Sequence, residues 1–314
     1  MSGSAPTVDL VAVERFLSER LAGVTDVEPL RKGEWSSAYG FRQGPRELVA
    51  RFSAFHEDFE KDRIAYRYRT NELPIPRVVE IGEAFGGHYA VTERAHGEYL
   101  ERLDAAALSR ALPGLFAALD AMRTADLSAT SGFGGWDAGG QAPHRTWRDA
   151  LLEVGEDRPG GRVYGWRAAL GRSPDAARAF EEGMGVFRRL AADCPNERHL
   201  VHGDLVYYNV LVSGARITAV FDWGSSIYGD FLHDIAWLTF WSPWYPNWKG
   251  IDLAGEARRH YASVGLDMPD FDERLRCYLL HIGLGGIAYA AWRGRWNEVD
   301  VRTAKVLALA RGHE

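Results

Sequence analysis

The stretch from His202 to Asp222, HGDLVYYNVLVSGARITAVFD, constrains the fold more than any other part of the chain. Its apolar runs, Val210 to Val212 and then Ile217, Ala219, Val220 and Phe221, flank Ser213-Gly214 and predict two short buried strands joined by a tight turn. Asp204, Asn209 and Asp222 then fall at strand ends, where their side chains can converge. Asn209 and Asp222 offer hard oxygen ligands to Mg2+, and Asp204 can accept a proton from a substrate hydroxyl, a set suited to phosphoryl transfer. The competing reading makes Asp204 and Asn209 turn residues and Asp222 a strand terminus. His202, beside the proposed base, is expected to be packed and hydrogen-bonded rather than a proton carrier.

The spacing of Asp204 and Asn209 is also that of the protein-kinase catalytic loop. Length permits such an enzyme: 314 residues, 46% hydrophobic, suffice for two lobes with substantial cores. A formal charge of -6 without a basic patch argues against nucleic acid as a partner. Cys194 and Cys277 are too few for a disulfide framework, and no charged-then-apolar leader opens the chain. The longest apolar segment, Tyr278 to Trp292, is broken by His281 and glycines and is too short to span a bilayer, so it reads as a buried helix. A cytoplasmic enzyme, monomeric and free of membrane, is the expectation.

In chain order, residues 8–22 place Leu10, Val13, Phe16, Leu17 and Leu21 on one helical face. LRKGEWSSAYGFRQG and ELVARFSAF then predict three short strands, with Gly33 to Ser37 as the first turn. Backbone N–H groups there, at Ser36 and Ser37, can face phosphate oxygens. Arg51 lies mid-strand, where it either points to solvent or grips nucleotide phosphates. The charged segment EDFEKDRIAYRYRTNE predicts a helix that supplies Arg51 with an acidic partner, Asp62 in preference to Glu60; the alternative is a solvated helix face. Val78 to Ile81 and Tyr89 to Glu93 form a hairpin around Gly86-Gly87. Composition shifts from strand-like to helical at Ala95 to Gly97. That shift predicts a nucleotide-binding lobe over 1–96 and a catalytic and substrate-binding lobe over 97–314, with the backbone of Glu93 and Ala95 holding adenine in the crevice.

Residues 105–125 and 174–193 carry strong helical periodicity, and 153–162, lacking it, predicts a mobile surface loop. Asp230 is the expected N-cap of a helix beginning in YGDFLHDIAW, and Asp234 is either a structural carboxylate near the helix start or a substrate contact. Five of eleven tryptophans, including Trp241 and Trp244, fall between Trp223 and Trp248, and rings on a loop can cover a sugar face. Acidic residues follow, among them Glu273 and Glu298, and predict an anionic wall for a cationic substrate.

The chain resembles the aminoglycoside phosphotransferases along nearly its whole length. The resemblance is carried by Leu73-Pro74-Ile75-Pro76, Thr130-Ser131-Gly132-Phe133-Gly134, Thr146-Trp147-Arg148-Asp149 and Asp193-Cys194-Pro195. It continues in Arg198 to His202, Arg216 to Val220, Asp222-Trp223, Phe240-Trp241, Pro243-Trp244 and Ile282-Gly283-Leu284. It implies an α+β, bilobal protein-kinase-like fold, with a small antiparallel-sheet N-lobe and a larger, mostly helical C-lobe. It also implies ATP and Mg2+ as co-substrate and cofactor, and transfer of the γ-phosphoryl to an aminoglycoside hydroxyl, with hygromycin B the expected acceptor. Asp204 falls at that family's base, Asn209 and Asp222 at its metal ligands, and Trp241 and Trp244 in the region lining its drug site. Arg51 stands where the family usually has Lys, and Asp62 where it usually has Glu; the Arg fork meets phosphates in a different geometry. Related folds phosphorylate choline, homoserine, macrolides or sugars, or bind ligand without transfer, and these remain the alternatives.

Overall fold

Period-two alternation through β2 and β3 builds the N-lobe. The computed structural model describes residues 8–312. Helix α1 (Leu10–Arg20), capped by Asp9 through Ala12 N at 2.9 Å, precedes β1 (Val24–Pro29), β2 (Ser36–Gln43) and β3 (Arg46–Ser53). After helix α2 (His56–Ala65), β4 (Val78–Ala84) and β5 (Gly87–Glu93) complete an antiparallel sheet of order β1-β2-β3-β5-β4. One sheet face carries Tyr39, Phe41, Leu48, Ala50 and Phe52 against Val13 and Leu17 of α1. The other carries Ala38, opposite Arg51, which is opposite Ala90. Strand β1 lies earlier than expected, so Ser36 and Ser37 open β2 rather than sit in the turn. The β4–β5 hairpin turns through Phe85 and Gly86, both at positive φ (53° and 74°), the type I′ geometry that matches strand twist.

After Glu93 the chain crosses to a larger helical lobe, where β6 (Glu98–Tyr99) pairs with β9 (Val210–Ser213). The C-lobe contains α3 (Ala105–Arg123), β7 (Gly134–Gly135), α4 (Trp147–Leu152), α5 (Trp166–Leu170) and α6 (Pro174–Asp193) before β8 (His199–Val201). Strand β10 (Arg216–Val220), β11 (Ile227–Gly229), α7 (Leu232–Trp241), α8 (Leu253–Ser263), α9 (Phe271–Trp292) and α10 (Trp296–Ala310) follow. Among the described residues α3 is long and apolar enough to cross a membrane, yet its Leu108, Leu112, Leu115, Phe116, Leu119 and Met122 are packed into the core of this lobe. The fold is thus bilobal, a small antiparallel sheet above a mostly helical body.

Two expectations change, and one alternative is removed. Asp230 is not primarily a cap: it is fully buried and paired in two directions with Arg274 of α9 (Nε to Oδ2 3.0 Å, Nη2 to Oδ1 2.9 Å), and Tyr278 Oη donates to it at 2.6 Å. For helix α2 the solvated-face alternative falls, since Asp58 through Asp62 are all buried and Asp62 accepts from Arg51. Segment 153–162 is anchored rather than loose, because Arg162 pairs with Asp58 on α2 and its guanidinium lies over Phe55 at 4.1 Å.

Gly132 shows how tightly the connecting loop is built. Its φ is +73°, and a Cβ there would stand 1.9 Å from the Ala142 carbonyl oxygen. Gly132→Ala is expected to cost about 1–3 kcal/mol from the backbone conformation alone, with the clash added. Urea denaturation checks this, and a loss under ~0.5 kcal/mol, the range of an ordinary surface change, would show the loop able to yield.

Candidate active site

The β9–β10 hairpin creates the site. Val210 pairs with Val220, and Phe221 N donates to Asn209 O at 3.1 Å, so the residues just outside the hairpin, Asn209 and Asp222, are held side by side. The loop entering β9 returns Asp204 to the same place. Asn209 Nδ2 donates to the Asp204 carbonyl at 2.7 Å and to its Oδ2 at 3.3 Å, which fixes the Asn209 amide. Tyr207 and Tyr208, both in the left-handed region (φ 68° and 73°), make this short return possible. Asp204 Oδ1 is screened from solvent and has no hydrogen-bond partner. Burial, then the charges of Asp222 and Glu101, raise its carboxyl well above the ordinary carboxylate value.

His202 is structural, as expected. Its Nε2 donates to Phe221 O (3.1 Å), its Nδ1 accepts from Asp204 N (3.3 Å), and burial lowers its pKa to about 4. Asp234 takes the structural alternative and not the substrate contact. It is 1% exposed, and its two oxygens accept from His202 N and Gly203 N, both at 2.8 Å. A buried carboxylate with both oxygens on backbone amides positions the loop and cannot reach a ligand.

Arg51 reaches down from the sheet. Nη1 donates to Asp62 Oδ2 at 2.8 Å and Nη2 to Asp222 Oδ1 at 3.0 Å. Burial opposes the Arg51 charge, but Asp222 and Asp62 outweigh it and the guanidinium pKa is raised. Asp62 is raised to about 6 by burial, against the pull of Arg51. Glu60 instead pairs with Arg63. Of the two serines, Ser36 shares the Arg51 face of the sheet, whereas Ser37, paired with Phe52, lies on the α1 face. Period-two geometry therefore removes the Ser37 side chain from the crevice. Glu93 N is engaged with Arg77 O at 3.0 Å, and Ala95 follows in the crossing segment.

Beyond Asp204, Tyr207 packs edge-on to Trp241 (5.5 Å), which meets Trp244 (5.2 Å) and lies beneath the Arg302 guanidinium (5.0 Å). Trp241 is buried, 4% exposed, whereas Trp244, at 38%, is the open ring. Arg302 pairs with Glu298 at 2.6 Å. Glu273 does not join them. Gly286 is the part of α9 against Trp241, and Glu273 lies thirteen residues away, about 20 Å at ~1.5 Å per residue. Sequence reasoning missed Tyr207 and Glu101, whose buried carboxylate accepts from Tyr208 N at 2.6 Å. It also missed Glu34, which ties the β1–β2 turn to Arg293 (2.9 Å) and to Arg295, while Trp35 stacks on Trp292 at 5.9 Å.

Among the described residues no group of three or more His, Cys, Asp or Glu is arranged for a metal. The donors present still suit Mg2+, which takes one or two protein oxygens and completes its shell with phosphates and water. Asn209, its nitrogen committed to Asp204, has its oxygen available, and Asp222 stands beside it.

A kinase-like crevice with paired Arg51 and Asp62 above and Asp204, Asn209 and Asp222 below defines a phosphotransferase. The chain belongs to the phosphotransferase enzyme family, whose model matches residues 26–274. It is 35% identical over 310 residues to hygromycin-B 4-O-kinase of Escherichia coli, covering 98% of this chain and 86% of that protein. A thermostable mutant of aminoglycoside phosphotransferase APH(4)-Ia, in ternary complex with AMP-PNP and hygromycin B, superposes with a TM-score of 0.84 at 33% identity, over 96% of this chain and 98% of the other. The GDP complex of aminoglycoside 2'-phosphotransferase-IIIa shares the fold alone, with a TM-score of 0.67 at 13% identity over 97% and 99%.

Proposed function

We propose that this enzyme transfers the γ-phosphoryl group of ATP to a hydroxyl of an aminoglycoside, with hygromycin B as acceptor and its 4-hydroxyl as the site. The observation that carries the chemistry is the unpartnered Asp204 Oδ1 beside the fixed Asn209 amide and Asp222. The acceptor is inferred from the likeness to hygromycin-B 4-O-kinase and from the ring cluster of Tyr207, Trp241 and Trp244 that follows Asp204.

In this reading residues 1–96 form the nucleotide lobe and 97–314 the catalytic and acceptor lobe. Arg51, steadied by Asp62, grips the α- and β-phosphates; Ser36 and the backbone of the β1–β2 turn lie over them. The Glu93 carbonyl and Ala95 N–H bind adenine. Asn209 and Asp222 are the residues that would hold Mg2+, which would supply neutralisation of phosphate charge. Asp204 orients the acceptor hydroxyl and takes its proton as the bond to phosphorus forms. The transition state is loose, so alignment and charge neutralisation contribute more than basicity. Action as a monomer in the cytoplasm, where ATP is supplied, completes the proposal.

The test is ADP formation by purified protein with ATP and Mg2+, comparing hygromycin B with other aminoglycosides, choline and homoserine. Turnover confined to a different acceptor would keep the phosphoryl chemistry and remove this substrate. ATP binding without turnover on any acceptor would overturn the enzyme reading. In the same assay Trp244→Ala is expected to raise KM for hygromycin B roughly 5–30-fold with kcat nearly unchanged, the pattern of lost uniform binding. An unaltered KM would take Trp244 out of the acceptor site.

A further inference from the structure

Helix α2 holds a lysine that the phosphate-binding machinery does not use. Lys61 is 4% exposed, although its neighbours in sequence are charged. Its Nζ donates to Gly224 O at 2.8 Å and to Ser226 O at 3.0 Å and lies over the Trp136 ring at 4.7 Å. The next residue, Asp62, accepts from Trp223 N at 2.8 Å through Oδ1 while Oδ2 holds Arg51. One turn earlier, Asp58 closes against Gly224, where a Cβ would fall 2.8 Å from its carboxyl carbon, and Arg162 pins Asp58 from the far side. Burial lowers the Lys61 pKa to about 8, which leaves the ammonium charged at neutral pH.

These contacts converge on residues 223–226, directly after Asp222. Asp222 has a φ of 67°, a left-handed conformation that a non-glycine residue keeps only when its surroundings impose it. Its own side chain is 40% exposed and makes one ion pair, so it does not impose that conformation by itself. The constraint comes from the backbone atoms that follow, and two consecutive side chains of α2 supply it. An ammonium suits this task because it can direct separate N–H donors to two carbonyls and a ring face.

We propose that Lys61 is a positioning residue for Asp222: by clamping the carbonyls of Gly224 and Ser226 it sets the orientation in which Asp222 meets Mg2+. The inference rests on the reading of Asp222 as a metal ligand, and it assigns Lys61 an effect on Mg2+ rather than on acceptor or adenine. Outer partners of a metal ligand typically change metal affinity 10–100-fold when removed.

The experiment is calorimetric titration of ADP into the full chain at a series of Mg2+ concentrations, for the parent, Lys61→Met and Lys61→Gln, with amide hydrogen exchange of 223–226 followed alongside. The expected result is a Mg2+ requirement raised about 10-fold or more in Lys61→Met. ADP affinity without Mg2+ stays within about twofold, and exchange in 223–226 is faster. Lys61→Gln, which keeps an N–H donor, should fall between the two and serves if Lys61→Met does not fold. A folded variant with the parent's Mg2+ requirement would overturn the proposal. So would an equal loss of ADP affinity with and without Mg2+, the mark of a merely structural role, or parent ADP binding indifferent to Mg2+. Because binding is read without an acceptor, a parent that turns over nothing yet shows the Lys61 effect sinks the proposed function alone. An active parent with an unmoved variant sinks the positioning role alone.

Discussion

Asp204→Asn is expected to lower kcat on hygromycin B by roughly 10^2–10^4, the contribution typical of a positioned general base. The substitution is nearly isosteric, and the loop does not depend on the lost charge. Asp204 N remains bonded to His202 Nδ1, and the Asp204 carbonyl still accepts from Asn209. The carboxyl oxygen Oδ1 has no protein partner to lose, and the amide oxygen of the new Asn can take the place of Oδ2, which accepts from Asn209 Nδ2 at 3.3 Å. Stability should therefore be kept, and ADP affinity with Mg2+ should change little, because Asn209 keeps its shorter bond to the Asp204 carbonyl and Asp222 is not altered. What disappears is the acceptor for the hydroxyl proton and the charge that aligns the hydroxyl with phosphorus. Single-turnover phosphorylation separates this from slower product release, and a kcat within about threefold of the parent would remove Asp204 from the reaction.

Arg274→Met is expected to cost about 3–5 kcal/mol of stability without touching the crevice. Asp230 is fully buried, and Arg274, 6% exposed at its side chain, provides its only cation at 2.8–3.0 Å among the described residues. Removing the guanidinium strands a carboxylate among Tyr278, Phe231 and the start of α7, a far greater loss than the net worth of the pair. Domains commonly retain 5–15 kcal/mol in total, so the variant stands near the edge of folding. Chemical denaturation measures the loss. The double variant Asp230→Leu with Arg274→Met should recover most of it, since it removes the stranded charge too. A single variant that loses less than ~1 kcal/mol would mean that the carboxylate takes up a proton or reaches water.

The parts of this molecule that could be read from the sequence are those set by near neighbours. The β9–β10 hairpin, the α3 and α6 helices and the convergence of Asp204, Asn209 and Asp222 follow from periodicity and turn chemistry over about twenty residues. Local pattern favours Asp62 over Glu60, and the structure brings Asp62 to Arg51. The errors concern side chains whose partners are distant in the chain. Asp230 has a cap's position, but its partner Arg274 is 44 residues on. How fully the charges of α2 are buried is likewise hidden, because their partners include Arg162 and the loop after Asp222, which no window contains. Ser37 shows a different limit: strand β2 begins at Ser36, and where a strand starts decides which side chains face the crevice.

Tyr207 and Tyr208 have one more consequence. Two successive non-glycine residues at positive φ are a standing conformational cost, each on the order of 1–3 kcal/mol, and the loop that returns Asn209 to Asp204 carries both. Glycine at either position would relax the backbone but remove the ring that rests on Trp241 or the one beneath Arg31. Selection for heat tolerance and selection for catalytic speed therefore pull against each other at these two tyrosines, and gains in thermal endurance come more cheaply from sites remote from this loop.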